Sequence, residues 1–155
     1  MNRTIEVKDK LYALVTDAKE LPKLGTSEWY GKSYEQLQGS RMNYPRGKSF
    51  KTHKHIMNPR TIKRTQECFV VISGEIQIDI YEKVYIKKRL AYSSDLVQED
   101  SHVLLGTLMA KAGEALFVYD GFHKLSVLED AVFYEIKSGA YTSVDEDKEF
   151  LPEVD

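Results

Sequence analysis

The chain predicts an all-β, single-domain protein, and three features of the sequence carry that prediction. Glu75–Tyr81 alternates strictly, with Ile76, Ile78 and Ile80 against Gln77, Asp79 and Tyr81, as a strand with one buried face requires. Just before it, Glu67–Ser73 (ECFVVIS) is a nearly continuous apolar run closed by Gly74. From residue 40 onward short runs of this kind recur with turn signals between them, the spacing of a sandwich or barrel. A length of 155 residues suits one domain able to bury roughly two-thirds of its unfolded surface.

Taken in order, residues 1–39 read as a short helix and a flap that belong to the same domain as a barrel over 40–155. Leu11, Leu14, Val15 and Ala18 stand at helical spacing within 7–21, and Pro22 supplies the stop. From Pro22 to Gly39 the chain is broken by Gly25, Gly31 and Gly39. Trp29-Tyr30 in that stretch either pack as core, the commoner use of such a pair, or line a pocket beneath the flap. Ser40–Tyr44 is a strand before the Pro45-Arg46-Gly47 turn, and Ser49–His55 is another. After 67–73 and 75–81 come a strand over Val84–Leu90, a polar loop over Tyr92–Ser101 and a strand over Val103–Ala110. Ala115–Tyr119, His123–Leu128 and Ala131–Lys137 complete the set. The acidic tail DEDKEFLPEVD is expected along the surface, with Phe150 and Leu151 as anchors.

Composition narrows the class. Hydrophobic residues at 42% and ten tyrosines exclude disorder, and a net charge of −2 argues against a nucleic-acid partner, whose binding rests on phosphate neutralisation. The single cysteine, Cys68, permits neither a disulfide framework nor a four-cysteine zinc site. Its strand position, next to Glu67 and so on the opposite face, makes it a packed thiol. MNRTIEVKDK lacks the apolar run of a signal peptide, and no run approaches membrane-spanning length. The expectation is a cytoplasmic protein with no membrane partner. Exposed edges on many apolar strands predict a homodimer.

The chemistry concentrates between Gly47 and Gly74. His53-Lys54-His55, if extended, points both imidazoles to one side, and two imidazoles with a carboxylate suit Zn, Fe, Ni or Mn. The plain alternative is a chance pair of surface histidines. A second segment, Gly113-Glu-Ala-Leu-Phe-Val-Tyr-Asp-Gly121-Phe-His123, supplies a further imidazole. Together the two segments resemble the paired signatures of the cupin superfamily: Gly47, His53, His55, Glu67 and Gly74 in the first, and Gly113, Gly121 and His123 in the second. That resemblance implies a jelly-roll β-barrel whose mouth holds one divalent metal ion (Fe, Zn, Mn or Ni) through His53, His55, Glu67 and His123. The sequence departs from the pattern in three places. Eleven residues separate His55 from Glu67 where the family has only a few, so Glu67 stands displaced or replaced by Gln66. Tyr119 takes the place of the usual proline, and only Phe122 separates Gly121 from His123.

Phe133-Tyr-Glu-Ile-Lys-Ser-Gly-Ala-Tyr141 followed by Asp147-Lys-Glu-Phe150 is similar to the ending of small WbuC-type cupins from polysaccharide biosynthesis clusters, with Ala140 in place of a proline. Three functions follow from this resemblance and the residues. One is a metal-dependent enzyme acting on a small anion, such as a sugar or nucleotide-sugar intermediate. The second is a non-catalytic module that binds a sugar or metabolite. The third is a metal-free isomerase or epimerase that uses His53 and His55 with a tyrosine as acid and base. The insertion Ile56–Gln66 carries Arg60, Lys63 and Arg64 between two expected ligands. It reads either as a solvated cationic loop or as the binding site for the anion's carboxylate or phosphate. His102 is expected in a solvated loop, with a substrate-facing base as the alternative. Glu135 and Lys137 share a strand face and either pair across the barrel or line its cavity.

Overall fold

The computed structural model describes residues 1–89, 96–140 and 143–151. Among them are strands β1 (Arg3–Val7), β2 (Lys10–Val15), β3 (Thr26–Tyr30), β4 (Gly39–Asn43), β5 (Glu67–Arg89), β6 (Leu96–Lys111), β7 (Ala115–Val118) and β8 (Phe122–Lys137). Among the described residues helix is confined to one turn, α1 (Val144–Asp147). Six strands form one antiparallel sheet in the order β1-β2-β7-β5-β6, with β8 paired to β5, while β3 and β4 form a separate hairpin. The large sheet curls into a half-barrel.

β5 is the axis of this sheet. Its first residues lie between β7 and β8, and its middle lies between β6 and β8. The 23 residues exceed ordinary strand length, and a strand that long stays packed only by bending. The bend occurs at Gly74, which has φ 76°, and the register against β8 slips on both sides of it. An inserted residue of this kind kinks a strand and sharpens its twist. It also reverses parity: Phe69 and Val71 face the interior before the bulge, and Ile76, Ile78 and Ile80 after it. The three isoleucines are fully buried, as their alternation predicts.

The sheet has a core on each face. Tyr12, Val15, Phe69, Val71, Ile76, Ile78, Ile80, Leu116 and Val118 fill the concave side. Leu11, Leu14, Tyr30, Cys68, Phe117 and Tyr119 pack on the other side, where the chain carrying β3 covers it. Cys68 is buried there, as its parity predicts, and burial pushes its thiol up to about 11. Tyr30 belongs to this core, whereas Trp29 is exposed.

Several sequence expectations are corrected. The helix over 7–21 is a β-hairpin: Lys8 and Asp9 form a two-residue turn between Val7 and Lys10, both with positive φ. Leu11 and Leu14 face one core while Tyr12, Ala13 and Val15 face the other, because the register slips at Tyr12, the extra residue between Leu11 and Ala13, and so sets Leu11 and Leu14 on one side of a strand buried on both faces. Ser49–His55 is an exposed irregular segment and not a strand. The strands expected over 67–73, 75–81 and 84–90 are the single strand β5, which is described as far as Arg89; Leu90 lies outside the described residues. Of the expected polar loop, residues 92–95 also lie outside them, and 96–101 belong to β6. The two final expected strands are likewise one, β8. Phe150 is exposed, Leu151 is half-buried, and Tyr141 and residues 152–155 lie outside the described set.

Candidate functional site

Glu67 is the first residue of β5 and points to the concave side, where its side chain is 9% exposed. Directly opposite in register, Lys137 at the end of β8 donates to Glu67 Oε1 at 2.8 Å. His123, near the start of β8, brings Nε2 within 2.9 Å of Glu67 Oε2. The two partners stand at opposite ends of a 16-residue strand, roughly 45 Å of extended chain. Both reach one carboxylate because the sheet curls back on itself, so Glu67 clasps the mouth of the half-barrel. Burial alone would raise this carboxyl, but the hydrogen bonds from His123 and Lys137 outweigh it and hold Glu67 at about 2. Lys137 also pairs with Glu135, its neighbour on the same strand face, at 3.2 Å. Nearby on the rim, the Tyr12 hydroxyl donates to Glu82 at 2.7 Å.

A second cluster lies against this rim. The end of the 56–66 insertion meets the β1–β2 turn and the link between β7 and β8, enclosing a cleft of about 330 Å³. Lys8, Lys10, Lys63 and Arg64 line it, together with Asp9, Glu35 and Asp120. Asp120 pairs with both Lys10, at 2.8 Å, and Arg64. Burial would raise the Asp120 carboxyl, but the Lys10 hydrogen bond, with the Gly121 amide and Arg64, holds it below the usual carboxylate range. Lys8 and Lys63 have no ion-pair partner among the described residues. Gln66 fixes one wall of the cleft. Its Oε1 accepts from the Gln36 and Leu37 amides at 2.9 and 2.8 Å, and its Nε2 donates to the Tyr119 carbonyl and to Glu35. With its amide committed in this way, Gln66 acts as a structural pin and not as a substitute for Glu67.

Of the expected ligands, Glu67 and His123 are brought together. His53 and His55 form a separate pair on the exposed 49–63 segment, with ring centroids 5.4 Å apart and His53 Nδ1 bonded to the Lys51 carbonyl. Three imidazoles and a carboxylate are the right donors for a divalent ion. Among the described residues, however, no three such side chains gather into a metal-holding group, and Lys137 already neutralises Glu67. Of the insertion's cations, Lys63 and Arg64 reach the cleft, while Arg60 is exposed and does not line it. His102 lies in β6 beside the Tyr81 ring, half-buried and not in a loop. Lys8, Lys10 and Asp120 were missed as site residues. The first two lie on a hairpin that reads as helix, and Asp120 adjoins Gly121, the one local signal that pointed to it.

In the comparisons with known proteins, no family model, curated protein or solved structure matches this chain.

Proposed function

We propose that this protein binds a small anionic metabolite, a sugar acid or nucleotide sugar in kind, in the cleft where the 56–66 insertion meets the β1–β2 turn. The observation that carries the reading is the convergence of four cations on that cleft with only two of them held by Asp120. Lys8 and Lys63 are then the groups available to a carboxylate or phosphate, and charge-assisted bonds of this kind are the strong ones. Two further features support it. Lys8 and Asp9 both adopt left-handed backbone, which costs of order 1–2 kcal/mol per residue, and strain of this sort clusters at functional sites. The acids Asp9, Glu35 and Asp120 beside the cations suit a ligand that carries hydroxyls as well as charge.

The curled all-β sheet accords with a jelly-roll of cupin type, the architecture that the two glycine–histidine segments resemble. Calorimetric titration with inorganic phosphate, glucuronate and a nucleotide sugar tests the binding. Lys8→Ala with Lys63→Ala should weaken whichever anion binds by about a hundredfold, the combined effect of two charge-assisted bonds. Unchanged affinity in the double variant would remove the cleft from consideration.

A second reading makes the barrel mouth a divalent-metal centre. Its support is that the expected ligands already stand in two pairs, His53 with His55 and Glu67 with His123. Elemental analysis of the purified protein tests it: one equivalent of metal, lost in His53→Ala with His55→Ala, is the expected result, and full metal content in that variant is the contrary one.

A further inference from the structure

The segment between β4 and β5 carries an inference independent of the ligand cleft. Every residue from Pro45 to Arg64 is exposed, and none belongs to a helix or strand. Seven of them are cations and none is an acid: Arg46, Lys48, Lys51, Lys54, Arg60, Lys63 and Arg64. The whole chain stands at −2, so the other residues carry −9, and the near-neutral total hides a segregated positive block. Among the described residues Arg64 alone of the seven is held by an acid, Asp120. The ends of the segment are anchored. Lys48 lies over the rings of Tyr44 and Phe50, while the Thr61 carbonyl accepts from Gln36 and the Thr65 hydroxyl donates to Asp147. Its middle leaves apolar side chains in water, with Ile56 83% exposed and Met57 94%.

We propose that this segment docks on an anionic lipid surface. Ile56 and Met57 enter the boundary between headgroups and acyl chains, and the surrounding lysines and arginines meet the lipid phosphates and carboxylates. The charge of the segment and its bare aliphatic tip together select the partner, because such a surface offers negative charge and hydrocarbon in one layer. Lysine stems add to the apolar contact while their ammonium heads stay with the headgroups. The aliphatic tip decides against a nucleic acid, whose bases stack on aromatic rings. Ile56 and Met57 offer no ring, and Phe50 is already engaged edge-on by Tyr44. Among the described residues no helix is long and apolar enough to cross a membrane, and surface docking requires none.

Co-sedimentation with vesicles tests the proposal, with phosphatidylcholine alone set against phosphatidylcholine containing one-third phosphatidylserine. The protein should pellet with the anionic vesicles only, and salt of about 0.5 M should release most of it by screening. Arg46→Ala with Lys51→Ala and Lys54→Ala should weaken binding about a hundredfold, at roughly fivefold per cation. Ile56→Asn with Met57→Asn should weaken it about tenfold at unchanged charge, by removing the inserted apolar area. Lys8→Ala, which alters the cleft and not the segment, should bind vesicles like wild type. Failure to bind anionic vesicles at low salt would overturn the proposal and leave the segment to an acidic protein or a nucleic acid. Wild-type affinity in either segment variant would overturn it too, as would loss of vesicle binding in Lys8→Ala, which would put the headgroup in the cleft. Should a variant fail to fold, acetylation of the wild type decides. Protection of Lys51 and Lys54 by anionic vesicles, beyond that of Lys19 and Lys124, supports docking, and equal protection refutes it.

Discussion

Glu67→Gln removes one charge from the mouth of the half-barrel and leaves the shape of the side chain intact. In the wild type the carboxyl moves from its ordinary 4.5 to about 2 on folding, held there against burial by His123 and Lys137. At about 1.4 kcal/mol per pH decade, that difference is worth about 3 kcal/mol of stability to the ionised form. The folded value is the depressed one. The contribution is therefore complete above about pH 4.5 and is lost as pH falls through about 2. The variant lacks the titrating group, so its stability should lie about 3 kcal/mol below wild type near neutral pH. The gap should narrow steadily below pH 4.5. Urea unfolding followed by circular dichroism at a series of pH values measures both curves. A gap that stays constant from neutral pH down to the acid limit would refute the clasp, as would a gap within error of zero at neutral pH.

Three other substitutions probe the frame that holds the site. Ile78→Asp puts a carboxylate among fully buried apolar side chains and should unfold the domain, whereas Asp79→Asn keeps an acceptor for Thr107 and Gln77 and should cost about 1 kcal/mol or less in thermal melts. Gly74→Ala should destabilise by of order 3 kcal/mol in urea titration, because the left-handed backbone and the Asp130 carbonyl against the new Cβ both oppose it. Tyr119 has a buried hydroxyl with no hydrogen-bond partner among the described residues, and burial pushes its phenol above the ordinary range; Tyr119→Phe should leave the melting temperature unchanged or raise it.

How much was legible in the sequence depended on whether burial was one-sided. Ile76, Ile78 and Ile80 alternate cleanly because β5 past the bulge buries one face, and both their strand and their burial could be read from that. Cys68 followed from parity in the same way. β2 buries both faces and slips register at Tyr12, so Leu11, Leu14 and Val15 imitate helical spacing and nothing local contradicts it. Its turn was equally silent, since Lys8-Asp9 takes positive φ without the Asn-Gly or Asp-Gly that usually announces such a hairpin. Gly74 looked like the end of a strand because a bulge and a turn both recruit glycine. At the site, Glu67 and His123 were both singled out, but their direct contact depends on the curl of a strand, which no local pattern encodes. The separation of His53 and His55 from them goes with the irregular course of 49–63, whose few apolar residues, Phe50, Ile56, Met57 and Ile62, are scattered among polar ones and stay exposed.

The proposed ligand is a small anion held in the cleft between the insertion and the β1–β2 turn. The most direct measurement is a phosphate titration of isotopically labelled protein followed through its backbone amide resonances. Saturable shifts should concentrate at Lys8–Lys10, Lys63–Gln66 and Asp120, with residues of the β3–β4 hairpin unmoved. Absence of saturable shifts, or shifts centred anywhere else on the molecule, would contradict it.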